Sequence, residues 1–254
     1  MAVIHGKRID GKISRFVPIT EGLLVWLDAE RPDSYSGSGS DWLDLSGNNF
    51  HMKLQNSPSF TSSGTKYFSF NGSSQYGTCD GTVTNSTAAT VANLGVGGTN
   101  GKTIVCVART QASGGALGGL FDLGEFNVTG REFGIRRNSS TDNLWRAQFW
   151  GTADFDFTYS GNNVWTFYAL VYGADKIPRV YGNDGTLLGE RSGSYDLVTA
   201  GATPFNIARW TDSATPISSR YIAADIALCL VYNRGLTVTE LQTNYSRFKG
   251  RFGL

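Results

Sequence analysis

Apolar and polar residues alternate along many short segments of this chain. In KYFSFN, Phe68 and Phe70 alternate with Tyr67, Ser69 and Asn71, which is the period of a strand with one buried face. Other short apolar segments are bounded by Gly, Asn or Asp and have the composition of strands. They are KTIVCVART, GGLFDLG, REFGIRR, LWRAQFWG, VWTFYALVYG, PRVYGND, PFNIARW and YIAADIALCLVYN. The pattern predicts an all-β protein in which the last segment is a central strand, covered on both sides.

Turn signals separate these segments. In RVYGNDGTLLGE, two strand-like arms flank Asn183, Asp184 and Gly185. Because an Asp-Gly pair supplies the positive φ values of a tight turn, we expect a β-hairpin here. Residues 82–99 are rich in Thr, Asn, Ala and Gly, and they are predicted to form a long loop.

Helical periodicity is confined to the C-terminal segment RGLTVTELQTNYSRFKGRFGL. Thr237 and Glu240 have the spacing of a capping box, which marks the start of a helix. The residues expected on its apolar face are Leu241, Tyr245 and Phe248, and Gly250 is placed to end the helix. An isolated helix of about three turns is marginal in water, so we expect this one to dock on the sheets.

Composition and charge exclude several functional classes. The formal net charge is +1, which gives no reason to expect nucleic acid as a partner. The N-terminal residues contain no continuous apolar segment, so neither a secretory signal nor a membrane anchor is expected. The three cysteines, Cys79, Cys106 and Cys229, are widely spaced and odd in number. A complete disulfide framework or a zinc site is therefore not expected, and Cys106 and Cys229, within the apolar segments TIVCVA and IALCLVY, are predicted to be buried thiols.

The segment DWLDLSGNNFH offers two interpretations. Asp44, Ser46 and Asn48 are oxygen-bearing residues at alternate positions, as in a calcium-binding loop. However, Asn49 stands where the helix-loop-helix calcium motif needs Gly, and Gln55 stands where it needs a bidentate Glu. A turn in which Asp44 accepts hydrogen bonds from its own backbone is therefore favoured, and a calcium site is the alternative.

Several phrases, in their order along the chain, resemble the concanavalin A-like lectin/glucanase superfamily. They are GLLVWLDAERPDSYSGSGSDWLDLSGNNFHMKLQNSPSF, YFSFNGSSQYG, VWTFYALVY, YGNDGTLLG and IALCLVYNRGLTVTELQTNYSRFKGRFGL. The set is most similar to the laminin-G-like domains of bacteriophage structural proteins, those of marine phages in particular. This resemblance implies a two-sheet antiparallel jelly-roll sandwich over residues 21–254, with residues 1–20 as an extended N-terminal arm and one short C-terminal helix.

The same resemblance implies a non-enzymatic virion protein, either a capsid decoration or a tail-associated protein. It would be made in the host cytoplasm without a signal peptide and would contact other virion proteins through residues 1–20; a homo-oligomer is also compatible with this role. The alternative is a carbohydrate-binding module that recognises host surface polysaccharide, and a third, less favoured, is a polysaccharide depolymerase. The fold hosts all of these functions, so the site must be argued from residues.

Candidate residues for chemistry are few. A glycosidase needs two carboxylates that flank the scissile bond, and the nearest approach is Asp154 with Asp156, interpreted here as a solvent-facing pair. Asp122 and Glu125, around a glycine, are interpreted as a polar strand end. Carbohydrate binding needs an exposed aromatic ring beside polar groups. The residues predicted for that role are Trp150 and Trp210, each beside a polar turn, whereas Trp165 is expected in the core.

Overall fold

The computed structural model describes residues 16–111, 117–138, 143–151, 153–210 and 220–254. The strands are β1 (Leu23–Asp28), β2 (Asp41–Trp42), β3 (Met52–Gln55), β4 (Ser59–Thr61), β5 (Tyr67–Asn71), β6 (Tyr76–Thr78), β7 (Lys102–Thr110), β8 (Gly119–Asp122), β9 (Gly134–Arg137), β10 (Leu144–Gln148), β11 (Phe155–Thr158), β12 (Thr166–Tyr172), β13 (Pro178–Tyr181), β14 (Leu187–Glu190), β15 (Asn206–Ile207), β16 (Arg209–Trp210), β17 (Arg220–Tyr221) and β18 (Ala223–Tyr232). The α-helices are α1 (Val91–Leu94) and α2 (Val238–Phe248).

These strands form two large antiparallel sheets. Sheet 1 has the order β14-β13-β12-β7-β18-β5-β4, and β1 also pairs with β18. Sheet 2 has the order β11-β10-β9-β8-β15-β6-β3-β2. The remaining strands, β16 and β17, pair with each other as a separate two-stranded ribbon. The predicted two-sheet β-sandwich is confirmed. The prediction that β18 is a central strand is also confirmed, because β7 lies on one side of it and β5 and β1 lie on the other.

The main core lies between the two sheets. Its largest fully buried side chains are Trp42, Trp145, Tyr168, Phe68 and Phe121. They come from both sheets, at strand positions that alternate with outward-facing residues, as expected for strands with one face on the core. The alternation leaves an outer face on each sheet, and the two outer faces differ in character.

The outer face of sheet 1 is apolar and is covered by α2. The predicted capping box is present: the Thr237 side chain accepts from the Glu240 backbone, and the Glu240 side chain accepts from the Thr237 backbone. Leu241, Tyr245 and Phe248 are buried in a second apolar cluster with residues of β7, β12 and β18. The predicted docking of the helix is therefore confirmed.

The end of α2 differs from the prediction. The α-helix ends at Phe248, and Lys249–Arg251 continue as one 3₁₀ turn that includes Gly250. The left-handed glycine that follows is Gly253, with φ 67°. The tighter turn carries Arg251 inward, where its guanidinium forms a bidentate pair with the fully buried Asp28 at 2.6 and 2.9 Å. This ion pair fixes the chain end to the last residue of β1.

Part of the predicted N-terminal arm is attached to the body. Residues 1–15 lie outside the described residues. The Ile19 N–H donates to Asn244 Oδ1 at 2.9 Å, and the Val17 carbonyl accepts from Arg247 Nη1 at 2.9 Å. Residues 17–19 therefore run along α2, and the chain enters the sandwich from the helix side.

The predicted hairpin at Asn183–Gly185 is confirmed, because β13 and β14 pair across it and Asp184 and Gly185 have φ values of 55° and 69°. The loop predicted at residues 82–99 also contains the one-turn helix α1, capped by the Thr90 side chain. That helix is too short to show helical periodicity in sequence, and it forms because Val91 and Leu94 are buried in the main core.

Cys106 and Cys229 are buried, as predicted from their apolar surroundings, and Cys79 is buried as well; all three are free thiols. Cys106 and Cys229 are directly opposite each other on β7 and β18. Burial raises the pKa of the Cys229 thiol well above its usual range, which keeps it protonated and unreactive. Among the described helices, none has the length and apolar character required to cross a membrane.

Candidate functional site

The two tryptophans predicted to bind carbohydrate lie side by side in the structure. The ring centroids of Trp150 and Trp210 are 6.4 Å apart. Phe126 packs edge-on against both, at 4.1 Å from Trp150 and 4.8 Å from Trp210. The fold thus joins residues that are remote in sequence into one aromatic cluster, hereafter the Phe126–Trp150–Trp210 cluster.

This cluster lies on the outer face of sheet 2. On β9 and β10, the inward-facing residues Ile135, Trp145 and Ala147 belong to the main core. Their neighbours Arg136, Arg146 and Gln148 consequently face outward. The register places Arg136 opposite Arg146, and it places Arg146 opposite Asp156 of β11. In contrast to sheet 1, the outer face of sheet 2 is a polar surface that no α-helix covers among the described residues.

Trp210 forms the interior of the cluster. It lies on β16, and only 4% of its surface is exposed. The guanidinium of Arg136 lies 4.7 Å from its ring centroid and that of Arg220 lies 4.6 Å away. The exposed ring expected for Trp210 is therefore not observed, because neighbouring side chains cover it. Trp210 can therefore contribute to ligand binding only by supporting the side chains around it.

Trp150 is the partly exposed member of the cluster. It follows β10 and has φ 62°, an unusual conformation for a bulky residue. Its carbonyl accepts from the Gly130 N–H at 3.0 Å, which ties this bend to the neighbouring loop. Because the backbone and the contacts with Phe126 and Trp210 hold the ring, it presents a fixed apolar surface at the edge of the polar face.

Glu132 is a functional candidate that sequence reasoning missed. Its side chain is only 1% exposed, and Oε1 accepts a hydrogen bond from the Trp210 indole N–H. Oε2 has no hydrogen-bond partner among the described residues. Burial, followed by the proximity of Asp122, raises the pKa of Glu132 well above its usual range, which favours the neutral carboxyl. In sequence, TGREFG gives no sign that Glu132 is buried.

The acidic pair Asp154 and Asp156 is not a simple solvent-facing pair, which corrects the interpretation from sequence. Asp154 is partly buried and accepts from the Phe149 N–H at 2.7 Å and from the Gln148 amide at 2.9 Å. Burial raises the pKa of its carboxyl. Asp156 is exposed and forms a bidentate pair with Arg146, which lowers the pKa of Asp156. Asp154 therefore shapes the loop that carries Trp150, whereas Asp156 neutralises Arg146.

The other acidic candidates are separated by the fold. Asp122, at the end of β8, is 2% exposed and faces the same outer surface as Glu132. Glu125 pairs instead with Arg131 at 2.7 Å. The interpretation from sequence, that Asp122 and Glu125 form a polar strand end, holds for Glu125, whereas Asp122 is part of the buried polar layer beneath the Phe126–Trp150–Trp210 cluster.

The predicted turn or calcium loop at Asp44 is a dense hydrogen-bonded turn. The Asp44 carboxylate accepts from the backbone N–H groups of Trp26, Ser46 and Phe50 at 2.8, 2.9 and 3.1 Å. It also accepts from the Ser46 hydroxyl at 2.7 Å. These four donors occupy the oxygens that a calcium ion would need.

The remaining member of the proposed calcium set, Asn48, turns its amide nitrogen toward Ser46 and the carbonyl of Leu24, each at 3.0 Å. Asp44, Ser46 and Asn48 are therefore adjacent as predicted, in an arrangement whose hydrogen bonds suit a structural turn. Within the described residues there is no group of three or more His, Cys, Asp or Glu side chains suited to a metal ion. Calcium binding at this turn stays a prediction.

A recess of about 280 Å³ lies elsewhere, along the loop before and around β2. Its lining residues are Pro32, Ser34, Ser36, Ser38, Gly39, Ser40, Asp41 and Leu43. None of these described lining residues is aromatic, so the recess lacks a ring on which a sugar could stack. The outer face of sheet 2 is the better candidate.

Comparison with solved structures identifies the fold. The chain resembles Trypanosoma rangeli sialidase in complex with sialic acid at 17% identity and a TM-score of 0.60, over 88% of this chain and 32% of the sialidase. It resembles the binding domain of Paraclostridial Mosquitocidal Protein 1 at 13% identity and a TM-score of 0.60, over 90% of this chain and 53% of that one. The botulinum neurotoxin serotype D/C binding domain matches at 12% identity and a TM-score of 0.62, over 90% and 52% of the two chains.

These similarities show that the fold of the chain is a β-sandwich. The chain spans about a third of the sialidase and about half of each toxin domain, so the activities of those proteins do not transfer to it. No protein-family model matches the chain, and no curated protein matches it either. The phage laminin-G-like family suggested by the sequence is accordingly not shown, while the coarser assignment to a two-sheet β-sandwich holds.

Proposed function

We propose that this chain is a carbohydrate-binding module whose binding face is the outer face of sheet 2 around Trp150. The observation that carries the proposal is the Phe126–Trp150–Trp210 cluster, which fixes one partly exposed indole beside outward-facing polar side chains. A sugar ring has an apolar face that stacks on an aromatic ring and hydroxyls that need polar partners. This surface offers both.

The polar partner for a sugar hydroxyl is the partly exposed Arg146, which is held in place before a ligand arrives, and the buried side chains of Arg136 and Gln148 form an ordered layer beside it. Gln148 Oε1 accepts from Arg136 Nε at 2.7 Å, and its amide donates to Asp154. Arg146 is fixed by Asp156. Because these side chains are already ordered, binding loses less conformational entropy than it would on a flexible surface. Similarity to toxin binding domains supports a binding role at the level of the fold.

A glycan array provides the test. The intact protein should be retained by a defined subset of glycans, and Trp150→Ala should abolish retention while Trp150→Phe, which keeps a ring, should preserve part of it. Leu187→Ala is the matched control, because it removes an exposed apolar side chain from the edge of sheet 1. Thermal melting of each variant separates loss of binding from loss of folding. Retention unchanged by Trp150→Ala in a folded protein would place the site elsewhere.

The module is proposed not to cleave the glycan it binds. A glycosidase needs two carboxyl groups that reach the scissile bond. Glu132 is 1% exposed beneath Trp210, and Asp156 is exposed but paired with Arg146, so the two are not presented together as a free catalytic pair. Incubation with a retained polysaccharide should release no reducing ends. Their appearance, and its loss in Glu132→Gln, would instead establish a depolymerase.

Attachment to a phage particle remains a prediction that rests on the sequence resemblance. The docking of residues 17–19 on α2 is compatible with one detail of it, because it places the start of the sandwich domain beside that helix. Deletion of residues 1–15 keeps those docked residues. The shortened protein should fold and bind glycan but no longer join particles, as measured by mass spectrometry of purified virions. Full occupancy of particles by the shortened protein would rule this attachment out.

A further inference from the structure

The ribbon formed by β16 and β17 brings an arginine with unused binding capacity to the proposed carbohydrate site. Trp210 and Arg220 are directly opposite each other on this ribbon, and the Arg220 guanidinium lies 4.6 Å from the Trp210 ring centroid. A guanidinium held over an indole keeps its N–H edges available for hydrogen bonds. Arg220 is partly exposed, so these edges can reach a ligand.

Arg220 has no opposing charge among the described residues. The ion pairs found there include the arginines at positions 31, 109, 131, 146, 179, 234 and 251, but not Arg220. Arg136, on the same Trp210 ring, also lacks an ion pair there; it bonds instead to the neutral side chains of Gln148 and Asn138. Two guanidinium groups therefore share one indole without a carboxylate between them.

The acid in contact with the shared indole is buried. The Glu132 carboxyl accepts from the Trp210 indole N–H, and burial raises its pKa well above the usual range, which favours its neutral form. Burial lowers the pKa of Arg136 to about 10, which still leaves that group positive at neutral pH. The carboxylates of Asp154 and Asp156 also act electrostatically on Arg136, so the charge left without a partner among the described residues here is that of Arg220.

The other arginine of the ribbon, Arg209, faces away from this point and donates from Nη2 to Asn206 Oδ1 at 3.0 Å. Arg209 is opposite Tyr221, one position along the ribbon from Trp210 and Arg220. Its guanidinium stacks on Tyr76, with the guanidinium carbon Cζ 3.8 Å from the ring centroid. Because successive residues of a strand point to opposite sides, Arg209 and Arg220 do not converge on one group. Arg220 shares its side with Trp210 and hence with the Phe126–Trp150–Trp210 cluster.

We propose that the module selects an anionic glycan, in which one sugar stacks on Trp150 while the carboxylate or sulfate of a neighbouring sugar is bound by Arg220. This inference rests on the proposed carbohydrate-binding function and specifies its ligand class. Trp210 lies between the two contacts, with its ring 6.4 Å from Trp150 and 4.6 Å from the Arg220 guanidinium. Arginine matches the planar geometry of a carboxylate through two parallel hydrogen bonds.

The test uses matched pairs of probes with the full-length protein. Oligogalacturonate is compared with the same oligomer after reduction of its carboxyl groups, and dextran sulfate is compared with dextran. We expect at least about tenfold tighter binding of one charged probe than of its neutral counterpart, and a preference that weakens with added salt, since partly exposed charges are screened. The two pairs distinguish a carboxylated from a sulfated ligand.

Variants separate this inference from the proposed function. Arg220→Gln should remove the preference for the charged probe, and Arg220→Lys should restore part of it. Lys249→Gln, which removes an exposed charge near the C-terminus, should leave the preference intact. Equal binding of charged and neutral probes, or a preference that survives Arg220→Gln, would overturn the anionic ligand while leaving carbohydrate binding in place. Absence of binding to every charged and neutral glycan would refute both.

Discussion

The C-terminal helix gives the most quantitative prediction for stability. Leu241 is fully buried between α2 and the outer face of sheet 1. Replacement by Ala removes a large apolar side chain and leaves a cavity, because strands held in a sheet can collapse only partly around it. Such changes cost about 2–5 kcal/mol. The helix can move toward the sheet more easily than a strand can, so we expect about 3 kcal/mol for Leu241→Ala.

That cost is readily measured. For a chain of this length, a loss of about 3 kcal/mol should lower the melting temperature by roughly 6–12 °C. Urea unfolding should show an earlier midpoint with an unchanged slope, since the surface exposed on unfolding is nearly the same. Ser246→Ala is the control, because Ser246 lies on the exposed face of the same helix. It should change the free energy of unfolding by less than about 0.5 kcal/mol.

Truncation after Leu236 extends the same reasoning. It removes Leu241, Tyr245, Phe248 and Phe252, which are all buried. At roughly 1.5–3 kcal/mol for each large apolar side chain, the loss is about 6–12 kcal/mol, similar to the whole stability of a typical domain. The truncated chain should be insoluble or unfolded. If it melts at the temperature of the intact protein, or if Leu241→Ala has no effect, the helix is an appendage and the argument from burial is wrong.

Three further predictions concern single residues. Lys102 is 1% exposed, and burial lowers its pKa to about 7. Because unfolding restores the ordinary, higher pKa of lysine, the free energy of unfolding should rise by about 2 kcal/mol from pH 7 to 9. Lys102→Met should abolish this rise. Burial raises the pKa of the Glu132 carboxyl in the folded protein. Its stabilising contribution is therefore present below the pKa that this carboxyl has in the unfolded chain, and it is lost as the pH rises above that pKa. In urea titrations from pH 5 to 8, Glu132→Gln should gain stability relative to the native chain. Thr237→Ala should lower stability by about 1 kcal/mol through the lost helix cap, whereas Thr237→Ser should be nearly neutral.

The sequence predicted those elements whose signals are local. The hairpin around Asp184 followed from turn chemistry, and α2 followed from its capping box and its apolar spacing. The long strand β18 was recognisable because a strand with both faces covered is apolar throughout. The two-residue strand β2 was missed because two residues show no period, and the segment PFNIARW, predicted as one strand, forms the two short strands β15 and β16.

The candidate site was only partly predictable, because it depends on long-range placement. Trp150 and Trp210 were selected one by one, each for a polar turn beside it, and nothing in the sequence indicated that their rings touch the same phenylalanine. Burial of Glu132 arises from the ribbon of β16 and β17, which places Trp210 over it. A charged residue buried by a distant segment leaves no local signal.

The central claim is that carbohydrate binds to the outer face of sheet 2 around Trp150. Hydrogen exchange followed by mass spectrometry, with and without a glycan that the array identifies, tests this location directly. The account predicts added protection of backbone amides in residues 143–151 and 220–221, with β14 at the edge of sheet 1 unchanged. Protection confined to sheet 1, or to the loop at residues 32–43, would contradict it.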